Sequence, residues 1–209
     1  MSLLLSTLFI GFLLEEHLTL GSNILVGEVN ATRCRENERQ PLLIFKQNLV
    51  DDSDILSSWG NGDDKRNCCK WRGVVCSNRT GHILMLNLQP TDGYLGGTIS
   101  PSLLNLSHLN YLDLSFNNFN GNTIPEFIGS LRNLRYLDLS YACFSGPIPY
   151  QFGNLSRLQS LELRGNDLYS SSNLERLSHL SSLKKLDLSL SNLSKSNDWV
   201  QVVNKLPFL

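Results

Sequence analysis

From residue 83 onward, apolar residues recur in a fixed frame. The triplets are Ile83, Leu86, Leu88; Leu109, Leu112, Leu114; Leu134, Leu137, Leu139; Leu158, Leu161, Leu163; and Leu183, Leu186, Leu188, with Leu209 opening a further copy. Successive openings are 26, 25, 24, 25 and 26 residues apart. A period of this length marks a stacked, repeat-built solenoid. Within each copy the last two leucines flank one polar residue, as in Leu112-Asp113-Leu114. That period of two predicts a short strand with one face buried and the other in solvent. One copy cannot bury its own leucines. Stacked copies can, if the strands join into a parallel sheet over a continuous core.

The remainder of each copy is also regular. Three positions after the last strand leucine stand Asn117 and Asn166, with Ala142 and Ser191 in the same place in two other copies. An asparagine amide both donates and accepts, so it can bond the backbone of the neighbouring turn; the alanine and serine break that ladder. A further apolar anchor follows at Leu95, Phe119, Phe144, Leu168 and Leu193. Then come Gly121 to Pro125, Gly146-Pro147-Ile148-Pro149 and the proline-free Gly97-Thr98-Ile99-Ser100, with Leu103, Ile128 and Phe152 facing inward beyond them. The copies that open at Leu158 and Leu183 lack this turn. Asp198-Trp199-Val200-Gln201-Val202-Val203 suggests helical turns in its place.

Residues 34–80 do not repeat. Leu42, Phe45 and Leu49 lie along one face of a helix predicted over 38–49, with Pro41 suited to its first turn. Cys34, Cys68, Cys69 and Cys76 fall in this segment, while Cys143 stands alone in a repeat turn and is expected to be partly buried. In an exported chain four such cysteines read as two disulfides, and sequence alone leaves three pairings open. Zinc held by Cys68, Cys69, Cys76 and His82 is the rival, but adjacent cysteines do not match the usual ligand spacing. A helix and two bridges make a reasonable lid for the leucine core of the solenoid.

Ahead of the lid, Leu3 to Leu14 is a 12-residue, mostly apolar run closed by Glu15 and Glu16. It is too short for a spanning helix, which takes ~20 residues. It fits the apolar heart of a signal peptide over residues 1–31, ending between 21 and 31, although no Lys or Arg precedes it. Nothing after it could span a bilayer. Asn-x-Ser/Thr acceptors occur at Asn30, Asn78, Asn105, Asn154 and Asn192; the last four are candidate glycosylation sites if the chain is exported.

The repeat, read as L-x-x-L-x-L-x-x-N-x-F-x-G-x-I-P-x-x-F-G, resembles the plant-specific leucine-rich repeat. The segment from Cys34, Glu38 and Arg39 through Leu56-Ser57-Ser58-Trp59 to Cys68-Cys69-x-Trp71-x-Gly73-Val74-x-Cys76 resembles the plant leucine-rich-repeat N-terminal cap. The resemblance implies an α/β leucine-rich-repeat solenoid, with a short parallel sheet on its concave face and a helical, disulfide-bonded cap. It also implies the pairing Cys34–Cys68 and Cys69–Cys76. Residues 34–80 would be the cap and 81–209 about five repeats, the last incomplete. Residues 34–209 are similar to plant receptor-like proteins of the immune type, including the xylanase-sensing and Cf-type receptors. That implies a non-enzymatic recognition module on the extracellular face of the plasma membrane, with a protein, peptide or glycan ligand and a co-receptor kinase as partners. The chain stops within a repeat, so an N-terminal portion of such a receptor is expected. A soluble inhibitor of the polygalacturonase-inhibiting type and a truncated remnant are the alternatives.

Solenoids bind on the sheet. Its solvent-facing positions include one column of Asn87, Asp113, Asp138, Glu162 and Asp187, and another containing Tyr111, Tyr136 and Lys185, with Arg164 beside them. Parallel strands lie ~4.8 Å apart, so in-register carboxylates repel. The acidic column reads as repeat consensus bonded to neighbouring serines rather than as a cation site. The tyrosines are the better contacts, because Tyr offers large area at low entropy cost. The net charge of −1 gives no basic field for nucleic acid. No nucleophile motif, metal set or cofactor motif stands out. His82, His108 and His179 fall at the convex-to-strand junction in three repeats and read as structural.

Overall fold

A computed structural model describes residues 33–169, 174–191 and 199–208. The proposed signal segment, Asn30, Asn192 and Leu193 lie outside the described residues.

The cap opens with α1 (Glu36–Gln47). Leu42 and Phe45 are fully buried and Leu43 nearly so, as the apolar spacing requires. The helix starts two residues earlier than the sequence suggested. Pro41 is therefore past the first turn, and the Pro41 carbonyl accepts a bond from Ser102 Oγ at 2.9 Å. Leu49 leaves the helix and enters β1 (Leu49–Val50). The chain then turns on Asp51, whose carboxylate accepts from the amides of Ile55 and Leu56. Trp59 and Trp71 stack at 5.2 Å, and each indole N–H donates to a backbone carbonyl, of Arg72 and Lys65 respectively. Disulfides join Cys34 to Cys68 and Cys69 to Cys76. The cysteine zinc reading is thereby excluded, and the implied pairing is the one observed.

The cap ends on β2 (Val74–Cys76), antiparallel to β3 (Ile83–Asn87). After the two-residue β4 (Gly96–Gly97), the repeat strands β5 (Tyr111–Asp113) and β6 (Tyr136–Asp138) follow in parallel. A short β7 (Ser145–Pro147) precedes β8 (Ser160–Glu162), and β9 (Asp167–Tyr169) precedes β10 (Lys185–Asp187). One six-stranded sheet runs β10-β8-β6-β5-β3-β2. Its register aligns Leu86, Leu112, Leu137, Leu161 and Leu186. The first four are completely buried, and the whole leucine set forms one core with Phe119, Phe144, Ile128 and Phe152.

Opposite the sheet, the return segments form 3-10 turns at Pro101–Asn105, Glu126–Ser130, Tyr150–Asn154 and Leu174–His179, and α2 (Trp199–Asn204) occupies the last repeat. Helical turns therefore occur in every described repeat, not only where the Gly-x-Ile-Pro turn is missing. Two small pairings were not foreseen: β1 antiparallel to β4, and β7 parallel to β9. Cys143 is exposed, not partly buried as expected, because Ala142 and Phe144 on either side of it take the inward positions of the turn.

Candidate ligand-binding face

The strand register brings the candidate residues into columns. Met85, Tyr111, Tyr136, Ser160 and Lys185 line one, and Asn87, Asp113, Asp138, Glu162 and Asp187 the next. Tyr111 and Tyr136 stack with centroids 4.2 Å apart and planes 3° from parallel. Each hydroxyl donates along its own strand, Tyr111 to Asp113 at 3.3 Å and Tyr136 to Asp138 at 3.1 Å. Burial and the carboxylates beside them raise both phenol pKa values, so the rings stay neutral.

The acidic column is bonded largely to its own strand. Asp113 is only 4% exposed and accepts from the Ser115 amide and hydroxyl at 3.0 and 2.7 Å. Asp138 accepts from the Ser140 amide, and burial pushes its carboxyl pKa up. Asp187 accepts from the Ser189 amide, and these serine bonds hold its carboxyl pKa down. Glu162 takes both oxygens to Lys185 Nζ at 2.9 Å, which raises the pKa of that lysine. The serine bonding is as read from the sequence, but the solvated state assumed for the whole column does not hold at Asp113.

A third row was missed. Phe116, Tyr141 and Leu190 follow the strand serines in three repeats, all with positive φ (59°, 51° and 68°), and all are exposed, Leu190 by 71%. Phe116 stacks on Tyr141 at 5.1 Å, and the Arg164 guanidinium lies 5.8 Å from the centre of the Tyr141 ring. Bulky side chains in this backbone region are uncommon and strained. The signal available was Gly165, which holds the same repeat position at φ 72°. The result is an apolar rim beyond the strand serines, separated from the tyrosine column by the acidic column. The glycosylation candidates Asn78, Asn105 and Asn154 are all exposed, the last two at the ends of 3-10 turns away from the sheet.

A lidded stack of leucine repeats that presents aromatic and charged columns on its sheet is a solenoid of the leucine-rich-repeat class. The comparisons agree. Residues 35–77 match the leucine rich repeat N-terminal domain, and residues 107–168 match the leucine rich repeat. Over 191 residues the chain is 48% identical to receptor-like protein EIX1 of Solanum lycopersicum, covering 86% of this chain and 18% of that protein. A chain of the BIR3–SERK2 complex of Arabidopsis thaliana superposes with a TM-score of 0.64 at 35% identity, covering 72% of this chain and 80% of the other. The PEPR1–AtPEP1 structure matches with a TM-score of 0.67 at 31% identity, over 76% of this chain and 22% of that one. The chain belongs to the plant leucine-rich-repeat receptor-like family. It spans under a fifth of the receptor-like protein EIX1 that it matches.

Proposed function

We propose that the chain is the cap-proximal part of an extracellular recognition module, in which residues 34–80 close the core and residues 81–209 present the binding sheet. The observation that carries this is the Tyr111–Tyr136 stack, set in register on the solvent face and continued by the Phe116–Tyr141 rim. Aromatic area of this kind is what protein and peptide interfaces are built around. PEPR1 is paired with AtPEP1, and BIR3 with SERK2, in the structures that resemble this one. A peptide ligand and a receptor-kinase partner are therefore the occupants we favour. Residues 1–31 act as the export signal in this reading, supported by the apolar run from Leu3 to Leu14.

Photo-crosslinking tests it. A benzophenone amino acid is placed at Tyr136 on the sheet and, separately, at the exposed Arg132 away from it, in protein secreted from plant cells. Adducts with extracellular protein or peptide are expected from position 136 and not from position 132. Equal labelling from both positions, or none from 136, overturns the assignment of the sheet as the binding face.

A further inference from the structure

One side-chain cluster lies outside the binding face. Glu38 sits in the first turn of α1, His82 immediately before β3, and His108 shortly before β5, one repeat later. The candidate ligand atoms of the three residues all lie within 4.8 Å of one another. His82 Nδ1 is 2.8 Å from Glu38 Oε1, and His108 Nδ1 is 3.8 Å from the same oxygen. Glu38 Oε2 accepts from the Ile83 amide at 2.7 Å. The imidazoles stack with centroids 3.7 Å apart and a mutual tilt of 21°.

The charge balance of this cluster is unusual. Glu38 is 1% exposed, and a buried carboxylate needs a compensating charge. Among the described residues no lysine or arginine forms an ion pair with it. The neighbouring Arg39 turns instead to Glu36 at 2.9 Å and Asn61 at 2.8 Å. The groups that face the carboxylate are the two stacked imidazoles. A clasp needs only His82. It leaves unexplained why His108, half exposed and able to point into water, lies over the same carboxylate.

We propose that Glu38, His82 and His108 form a binding site for a divalent transition-metal ion, with Zn²⁺ the natural occupant, which fastens the cap to the first two repeats. Two imidazoles and one carboxylate are a zinc donor set, with positions left for water on the exposed side. Donors about 2.1 Å from a tetrahedral ion lie about 3.4 Å apart, and the separations of the two Nδ1 atoms from Glu38 Oε1, 2.8 and 3.8 Å, bracket that value. Calcium and magnesium prefer shells made of oxygen, so nitrogen donors select against them. Ligation requires each Nδ1 to be unprotonated, with the ring proton on Nε2. The stacked rings must also open beyond their present tilt for both lone pairs to reach one ion. His108 can make that movement: it is half exposed, and among the described residues its further hydrogen bond is to the exposed Ser107 hydroxyl at 3.1 Å. The ion would link three chain segments, namely the lid helix and the entries to two successive strands.

Calorimetric titration of the full chain with ZnCl₂, followed by electron paramagnetic resonance of the Cu²⁺ form, tests the site. Copper binds such sites more tightly and reports the number of nitrogen ligands. The expectation is one site per chain, a two-nitrogen copper signal, and a melting temperature raised by zinc. His108→Ala should weaken zinc binding about tenfold or more and abolish the melting shift, while the apo protein stays folded. His179→Ala, which changes an exposed histidine of a later repeat outside the cluster, should leave both intact. Absence of binding up to about 1 mM zinc overturns the proposal. So does affinity unchanged by His108→Ala, which would place the ion elsewhere.

Discussion

At the scale of single residues, the fold rests on a few buried amides. Asn117 is 2% exposed; its side-chain oxygen accepts from the Leu95 amide, and its nitrogen donates to the carbonyls of Leu88, Leu114 and Ser115. Asn166 does the same two repeats further on, accepting from the Phe144 amide and donating to the carbonyls of Leu139 and Leu163. Where Ala142 breaks the series, its own carbonyl accepts from the Phe119 amide, so Phe119 keeps a partner without a side chain at 142. Asn117→Ala strands several buried backbone groups at once and is expected to lower unfolding free energy by ~2–4 kcal/mol in denaturant titration. The acidic column gives a paired prediction. Burial raises the Asp138 pKa in the folded state, so its charge opposes folding at neutral pH, and that cost disappears as pH falls below the unfolded value. Asp187 has the opposite shift, so its charge favours folding at neutral pH and the benefit is lost on acidification. Asp138→Asn should therefore be neutral or stabilising at pH 7 and Asp187→Asn destabilising, each by less than ~1 kcal/mol, with both differences closing toward pH 3 in thermal melts.

At the scale of elements, the repeat turns must approach each other closely. A Cβ on Gly129 would lie 2.3 Å from the Gln151 carbonyl oxygen, and one on Gly153 the same distance from that of Arg176. These contacts are with backbone, which cannot step aside. Gly129→Ala should cost ~2 kcal/mol or more by forcing the turns at Glu126–Ser130 and Tyr150–Asn154 apart, whereas Gly121→Ala meets no atom closer than 3.7 Å and should cost only the strain of its positive φ. The strands and their inward leucines were legible because burial on one face imposes an alternation that repeats every turn of the solenoid. The β7–β9 and β1–β4 pairings were not. Ser145-Gly146-Pro147 and Gly96-Gly97 carry no alternating apolar signal, and their pairing follows from stacking, not from their own composition. The early start of α1 was hidden by Pro41, whose usual place is the first turn. The Glu38–His82–His108 cluster was hidden by distance, since Glu38 and His82 are 44 residues apart and only packing of the cap on the first repeat unites them.

For the whole molecule, the two faces of the repeat stack carry different kinds of residue. The sheet carries the aromatic columns, and the opposite side carries Asn105 and Asn154, at equivalent ends of the turns Pro101–Asn105 and Tyr150–Asn154. Ser130 holds that position in the repeat between them. Protein secreted from plant cells is expected to carry glycans at both asparagines, as read by mass spectrometry of the glycopeptides. Secreted protein bare at both would contradict the separation of faces. Stability should be graded along the stack, because repeat folds sum local terms and nearest-neighbour interfaces. At one edge of the sheet the cap supplies β2, with Val74 buried and Cys76 tied to Cys69. In the middle, the amides of Leu114, Leu139 and Leu163 donate to Asp138, Glu162 and Asp187 of the next strand, over leucines that are fully buried. At the other edge β10 contributes Leu186 and Leu188, which are only partly buried, and no described strand lies beyond it. Local opening scales with exposed backbone bonds and sparse apolar packing. Native-state hydrogen exchange should therefore show protection that is high at Leu114 and Leu139, lower at Leu163, and lowest at Leu188. Uniform protection across these four amides would mean that the stack opens as a single cooperative unit, and would remove the basis for treating the cap as a local anchor.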